Sequence, residues 1–148
     1  MARIRRILYA SDFSPASGRA FATAVGLAKA NGATLTILHV IVPIVPLVPE
    51  QYIESATWER IDAEARRWSQ QQLARLAKKA KKTGVRVATK LLEGDPARLI
   101  VSAARSQRAD LVVVGTHGRH GWTKFFLGSV AERVIATATG PVVTVRGT

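Results

Sequence analysis

Apolar positions along the chain alternate between two patterns. Short apolar-rich runs recur at residues 4–10, 34–40, 85–92, 111–114 and 142–145, each bounded by polar, glycine or proline turn formers. Runs of that length predict buried strands. Between them, apolar residues return every three or four positions, the spacing of a helix with one buried face. Phe21, Ala24, Val25 and Ala28 share a face in the first such stretch. Ile61, Ala65, Trp68, Leu76 and Ala80 recur through residues 51–83, which reads Trp68 as core rather than as a ligand platform. Leu99, Ile100, Ala103 and Ala104 form a third face, and Leu127, Val130, Ala131, Val134, Ile135 and Ala138 a fourth.

Punctuation supports these boundaries. Ser14 before Pro15 reads as an N-cap followed by a first helical residue, opening a helix that runs to about residue 30. Asn31-Gly32 is a left-handed stop, and Gly84 and Gly140-Pro141 end two further helices. Glu93-Gly94 turns the chain, Asp95 caps and Pro96 starts the next helix. Residues 41–50 hold Pro43, Pro46 and Pro49, which excludes a central strand or helix there. That apolar loop is a lid, a contact surface or a cover for the core. Strands alternating with helices predict a three-layer α/β fold, a parallel sheet with helices on both faces.

The stretch from Gly115 to Val130 carries the clearest chemistry. It runs from a strand through Gly115, Gly118 and Gly121 to Gly128-Ser129 at the start of a helical face. Glycines there are either plain turn formers or a cradle that lets a ligand approach the backbone. A helix N-terminus offers unpaired N–H groups and partial positive charge, so a strand, glycine loop and helix start together suit phosphate. His117, Arg119, His120 and Lys124 add cationic or neutral side chains and no acid.

Length and composition narrow the field. A chain of 148 residues suits one domain, and the absence of cysteine excludes disulfides, thiolate zinc sites and cysteine nucleophiles. A cysteine-free chain fits a reducing compartment, and a cytoplasmic location is expected. Asp12 interrupts the apolar segment after the basic N-terminus, against a secretory signal, and the longest apolar run is too short and too proline-rich to span a bilayer. The formal net charge of +12 favours anionic partners, either nucleic acid or an ATP-like polyphosphate. Lys78, Lys79, Lys81 and Lys82 need no partner, because they close a helix whose C-terminus is negative.

The loop spacing Gly115, Gly118, Gly128, Ser129 resembles the nucleotide-binding pattern of the universal stress protein family. Residues 7–14, Ile-Leu-Tyr-Ala-Ser-Asp-Phe-Ser, resemble its first strand and Asp-x-Ser turn; residues 93–96 resemble its turn before the third helix, and residues 140–145 its closing strand. The resemblance covers residues 1–148 as a single domain. It implies a Rossmann-like or flavodoxin-like five-stranded sheet of order 3-2-1-4-5, with the turns at 11–14 and 115–129 facing one crevice. It further implies a homodimer paired through the last strand and ATP as ligand, with magnesium or manganese as an accompanying ion. Cyclic AMP remains the alternative ligand in the same crevice. By motif position, Asp12 would contact the ribose, Ala10, Ser11 and Val40 would line the adenine pocket, Gly115, His117 and Gly118 would wrap the phosphates, and Gly128, Ser129 and Val130 would close on them. Two departures stand out. Ala131 occupies a position where the family often has a hydroxyl, and Trp122 and Lys124 inherit no role.

These features imply a nucleotide-dependent stress-response switch acting on a protein partner, with at most slow hydrolysis: there is no evident general base, and the Gly-Lys-Ser/Thr signature of fast phosphoryl-transfer loops is missing. A hydrolase built on Asp12, His117 and Ser129 would need a Gly-x-Ser-x-Gly elbow, which the sequence lacks. A nucleic-acid module would rest on charge alone, without a recognition motif, so neither specific nucleic-acid binding nor membrane association is expected.

Overall fold

In the computed structural model, which describes residues 3–43, 53–116 and 128–147, all five apolar runs are strands of one parallel sheet. The elements are β1 (Arg6–Ala10), α1 (Ser17–Asn31), β2 (Thr34–Ile41), α2 (Ser55–Lys81), β3 (Arg86–Glu93), α3 (Pro96–Ser106), β4 (Leu111–Thr116), α4 (Ser129–Thr137) and β5 (Val142–Arg146). The strand order is β3-β2-β1-β4-β5, as the family resemblance implies. The chain winds outward from β1 in one direction, then returns to β4 on its other side. Ile7 of β1 therefore lies opposite Leu35 of β2 and Leu111 of β4.

Alternation along the strands fills two cores. Ile7, Tyr9, Leu35, Ile37 and Val113 pack against α1 and α2, while Leu8, Leu38, Val112 and Val114 pack against α3 and α4. Bulk comes from the sheet and closeness from the helix: α1 presents Ala20, Ala24 and Ala28, all buried. Gly32 caps α1 with φ 64°, as Asn31-Gly32 predicts. Asp95 caps α3, its carboxylate accepting from the Arg98 N–H at 3.1 Å, and the Arg133 guanidinium grips both its oxygens at 2.9 Å. These hydrogen bonds, that of Arg133 foremost, hold the Asp95 carboxyl below its ordinary range and tie α3 to α4.

Several expectations need correction. Ser14 does not cap α1, which starts at Ser17 after Ala16. The Asp12 carboxylate accepts from the Ser14 N–H at 2.9 Å, so the chain turns there first; Ser14 then gives its carbonyl to the Ser17 N–H and hydroxyl. Trp68 and Ile61 are 52% and 40% exposed, not core. The buried stripe of α2 is Ser69, Leu73, Ala77 and Ala80. With 27 residues α2 is about 40 Å long, against about 27 Å for an eight-residue strand, so its N-terminal turns outrun the sheet. Ile135 is 44% exposed, leaving Ala131 and Val134 as the buried face of α4. Gly115 belongs to β4 rather than to the loop. Of the proline-rich segment, Ile41 ends β2 and Val42 is exposed, while Pro46 and Pro49 lie outside the described residues. Among the described residues, no helix is long and apolar enough to cross a membrane.

The end of β5 is fixed by close approach. Gly147 donates to the Thr116 carbonyl at 3.2 Å, and a β-carbon there would sit 2.6 Å from the Ala16 carbonyl oxygen and 2.9 Å from its Cα. A β-carbon on Gly140 would meet no described atom within 4 Å. Urea denaturation should therefore show Gly147→Ala destabilised by about 1–3 kcal/mol, since backbone must move. Gly140→Ala should stay within about 0.5 kcal/mol of the parent.

Candidate functional site

A parallel sheet whose order reverses beside β1 leaves a crevice at the carboxyl ends of β1 and β4. Here that crevice is a cavity of about 490 Å³. Ala10, Ser11 and Asp12 enter it from the end of β1, Val40 from β2, Gly115 and Thr116 from β4, and Gly128, Ser129 and Val130 from the start of α4. The structure thus brings every described residue of the sequence-derived set to one cavity. His117 and Gly118 lie outside the described residues, as do Arg119, His120, Trp122 and Lys124.

The β1–α1 turn shapes the floor. Ser11 donates its N–H to the Leu38 carbonyl at 2.9 Å, and its hydroxyl accepts from the Phe13 N–H at 3.1 Å. Phe13 is held at φ 61°, a left-handed conformation that costs a non-glycine residue free energy and is stabilised only by its surroundings. Its ring stacks on His39 at 4.1 Å and meets Trp68 edge-on at 5.5 Å. The strained turn aims Asp12 into the cavity; one carboxylate oxygen binds the Ser14 N–H, and among the described residues the other accepts no hydrogen bond. The Ser14 hydroxyl is buried at the cavity wall with no partner among the described residues.

His39 of β2 borders the same cavity. Its Nδ1 lies 2.7 Å from the Ser11 carbonyl oxygen, which can only accept, so the neutral ring carries its proton on Nδ1 and leaves Nε2 as acceptor. Burial lowers the His39 pKa below 6.5, outweighing the opposing pull of the Ser11 carbonyl and of Asp12.

Two further features were not legible in the sequence. Trp68, with Ala65 and Ser69, forms a wall contributed by α2 that meets the floor at Phe13. No Arg or Lys is among the described lining residues, despite the net charge of +12. The N-terminus of α4 brings its first N–H groups to the rim, and the first residues of α1 and α3, Ser17 and Pro96, line the same cavity.

The model of the universal stress protein family matches residues 3–146. The chain belongs to that family. It is 37% identical over 144 residues to a universal stress protein of Methanocaldococcus jannaschii, a match covering 96% of this chain and 82% of that one. Among solved structures it resembles a universal stress protein in complex with cAMP, with TM-score 0.73 and 24% identity over 99% of this chain and 100% of the other. It also resembles the universal stress protein from Archaeoglobus fulgidus in complex with dAMP, with TM-score 0.65 and 23% identity over 97% and 98% of the two chains. At those identities the structural likeness is one of fold.

Within this universal stress protein domain, Gly115 packs against the start of α1. A β-carbon there would meet the Ala20 side chain at 3.5 Å and the Ser17 Cα at 3.6 Å, ordinary van der Waals contacts, so Gly115 abuts α1 without the packing itself demanding a glycine. Ala131, which replaces the frequent hydroxyl, is buried in the α3/α4 core while touching the cavity.

The His39 shift has a definite pH signature. Because the folded-state pKa is depressed, the unfolded chain binds the extra proton as pH falls below 6.5. The His39 contribution to stability is therefore complete above 6.5 and is lost progressively below it, down to the folded pKa. A proton NMR titration should place His39 below 6.5, and His39→Gln should flatten the acid side of the stability–pH curve in that window.

Proposed function

We propose that this universal stress protein binds an adenine nucleotide in the cavity at the β1–β4 reversal and acts as an ATP-dependent stress-response switch. The observation that carries the reading is the convergence of a half-engaged carboxylate, Asp12, with the N-terminus of α4 across a small-residue floor. A carboxylate accepts from sugar hydroxyls, exposed N–H groups receive phosphate oxygens, and a concave, mostly apolar pocket admits a purine. In this reading Asp12 holds the ribose, Ala10, Ser11 and Val40 border the base, and Gly128, Ser129 and Val130 meet the phosphates. Gly115, His117 and Gly118 complete the phosphate wrap as the family motif implies. Trp68 adds an aromatic wall beside the base, and the unpartnered Ser14 hydroxyl offers one more polar contact. The adenine nucleotides bound by two neighbours of the same fold support the ligand class.

Asp12 is the only carboxylate among the described lining residues, and no cluster of three metal-ligating side chains occurs among the described residues. A magnesium or manganese ion would therefore be carried chiefly by the nucleotide's phosphates, with Asp12 as the chain's one anionic group nearby. Cyclic AMP is the second reading, favoured by the lack of Arg or Lys in the described lining: one phosphate charge needs less compensation than three.

For a switch, occupancy must reach another surface. Thr116 lines the cavity and its carbonyl receives the Gly147 N–H, so the cavity rim is bonded to the residue following β5. β5 pairs with β4 on one side, and its other edge is the proposed homodimer seam. Nucleotide-dependent change in that seam would then be what a protein partner reads.

Calorimetric titration after removal of co-purified nucleotide tests the reading. ATP should bind near micromolar, about −8 kcal/mol. Asp12→Ala should weaken binding by about tenfold or more, the scale of a lost hydrogen bond to a charged group. Gly128→Val should abolish binding while the fold is kept. Preference for cyclic AMP over ATP would select the second reading, and absence of heat with either would reject both. Independently, Trp68→Ala should lower affinity several-fold by removing an aromatic contact, about 0.5–1.5 kcal/mol.

A further inference from the structure

A second concavity, of about 760 Å³, follows the outer edge of the sheet where α2 overlies β3. It shares no lining residue with the nucleotide cavity. Leu73, Ala74 and Ala77 of α2 and Val87 and Leu91 of β3 give it an apolar floor. Lys78, Lys81 and Lys82 stand on its rim, and no acidic residue lines it among the described residues.

The strand beside it is an open edge. β3 pairs with β2 in unbroken register from Arg86 to Glu93, and among the described residues no strand pairs with its other side. Backbone N–H and C=O groups on that side are a template for one more strand. Alternation turns Val87, Thr89 and Leu91 toward α2, so they border the groove, while Lys90 points away from it. An open strand edge beside a helix, with an apolar trough between them, is the geometry by which extended peptides are captured: main-chain bonds supply affinity and alternate side chains enter the trough.

Charge selects the occupant. The lysines belong to the last turn or cap of α2, where the helix dipole favours cations. That accounts for their charge but not for the apolar floor they border. A rim of three lysines disfavours a second copy of a chain of net charge +12 and favours carboxylates. We propose that the α2/β3 groove docks an extended acidic peptide segment of a partner protein. The segment adds a strand to β3, turns alternate side chains toward α2 and, among those, sets apolar residues on Leu73, Ala77 and Leu91 and acidic residues against Lys78, Lys81 and Lys82 at the C-terminal end of α2.

The test titrates the full chain with a fluorescein-labelled eight-residue peptide whose alternate, α2-facing positions carry Val and Leu along the trough and Glu at the end beside the lysines, with Thr at the intervening positions, read by fluorescence anisotropy. The same peptide with Lys in place of Glu is the control. The acidic peptide should bind saturably and the control should not. Ala74→Trp, at an exposed position, fills the trough, and Lys78→Glu with Lys81→Glu reverses the rim. Each should weaken binding by about tenfold or more, as loss of a central contact does. Circular dichroism identifies whether each variant is folded, and hydrogen exchange should slow at residues 86–93 on binding. Three results overturn the proposal: no saturable binding, binding that falls with salt yet is indifferent to Ala74→Trp, or protection confined to residues outside β3. Self-association of the free chain that Ala74→Trp abolishes would assign the groove to a second copy and overturn it as well.

Discussion

Ser11 commits all three of its polar groups at the point where β1 leaves the sheet. Its N–H is bonded to β2 through Leu38, its carbonyl to the His39 ring, and its hydroxyl to the Phe13 N–H. These bonds tie the ends of β1 and β2 together and hold Phe13 in a left-handed conformation it would not otherwise adopt. The strain is opposed by a stack on His39 and an edge contact with Trp68. Everything the cavity needs follows from that turn: Asp12 is aimed inward, α1 is delayed to Ser17, and the small residues at the end of β1 form a floor. Phe13, His39 and Trp68 come from three different parts of the chain, so the turn also joins β2 to α2.

Most of the architecture was legible because it depends on local, strongly patterned signals. Five apolar runs became five strands, and Asn31-Gly32 and Asp95-Pro96 marked a helix end and a helix start as their backbone chemistry requires. The strand order came from the family resemblance, since periodicity says nothing about which strand neighbours which. Misreadings fell where a local signal met a longer-range constraint. Ser14 has the chemistry of a cap, but the Asp12 side chain claims its N–H one turn earlier. Trp68 falls at helical spacing with core residues, yet a helix longer than the strands below it carries part of its apolar face past the sheet. Ile135 misled for a related reason, because the short α4 buries only the narrow sector of Ala131 and Val134. No pattern announces that a phenylalanine will sit at positive φ, since that conformation is imposed by Ser11 and His39 from outside.

The site was legible in its membership more than in its physics. Asp12, Gly128 and Ser129 stand out as turn and helix-start chemistry, and they do share a cavity with Ala10, Ser11 and Val40. Gly115 shows why membership is not a role. It lines the cavity yet sits within β4, where a β-carbon would make only ordinary contacts with Ala20 and Ser17 of α1, so neither its place in the strand nor its packing says what it does for a ligand. The Trp68 wall and the His39 tautomer depend on contacts between elements distant in the chain and on a single carbonyl, which no one-dimensional pattern encodes.

Net charge gave the weakest guide, and the topology explains why. In a parallel sheet with returning helices, strand starts and helix ends share one edge, and strand ends and helix starts share the other. Arg6 and Arg86 open strands, and Lys29, Lys78, Lys79, Lys81 and Arg105 lie in the last turns of helices, all on the edge away from the cavity. At the cavity edge stand Asp12, Glu93 and Asp95, along with Arg19 and Arg98 in the first turns of α1 and α3 and Arg146 at the end of β5. Helix dipoles favour the cations at the helix ends, since cations stabilise helix C-termini. Those strand-start and helix-end cations are remote from the crevice, no Arg or Lys is among its described lining residues, and the described part of it offers negative charge backbone N–H groups instead. Oriented N–H groups recognise the shape and position of an anion, whereas mobile lysines recognise only its charge. A basic chain can thus keep a selective crevice at one edge of its sheet and present its lysines, beside an apolar groove, at the other.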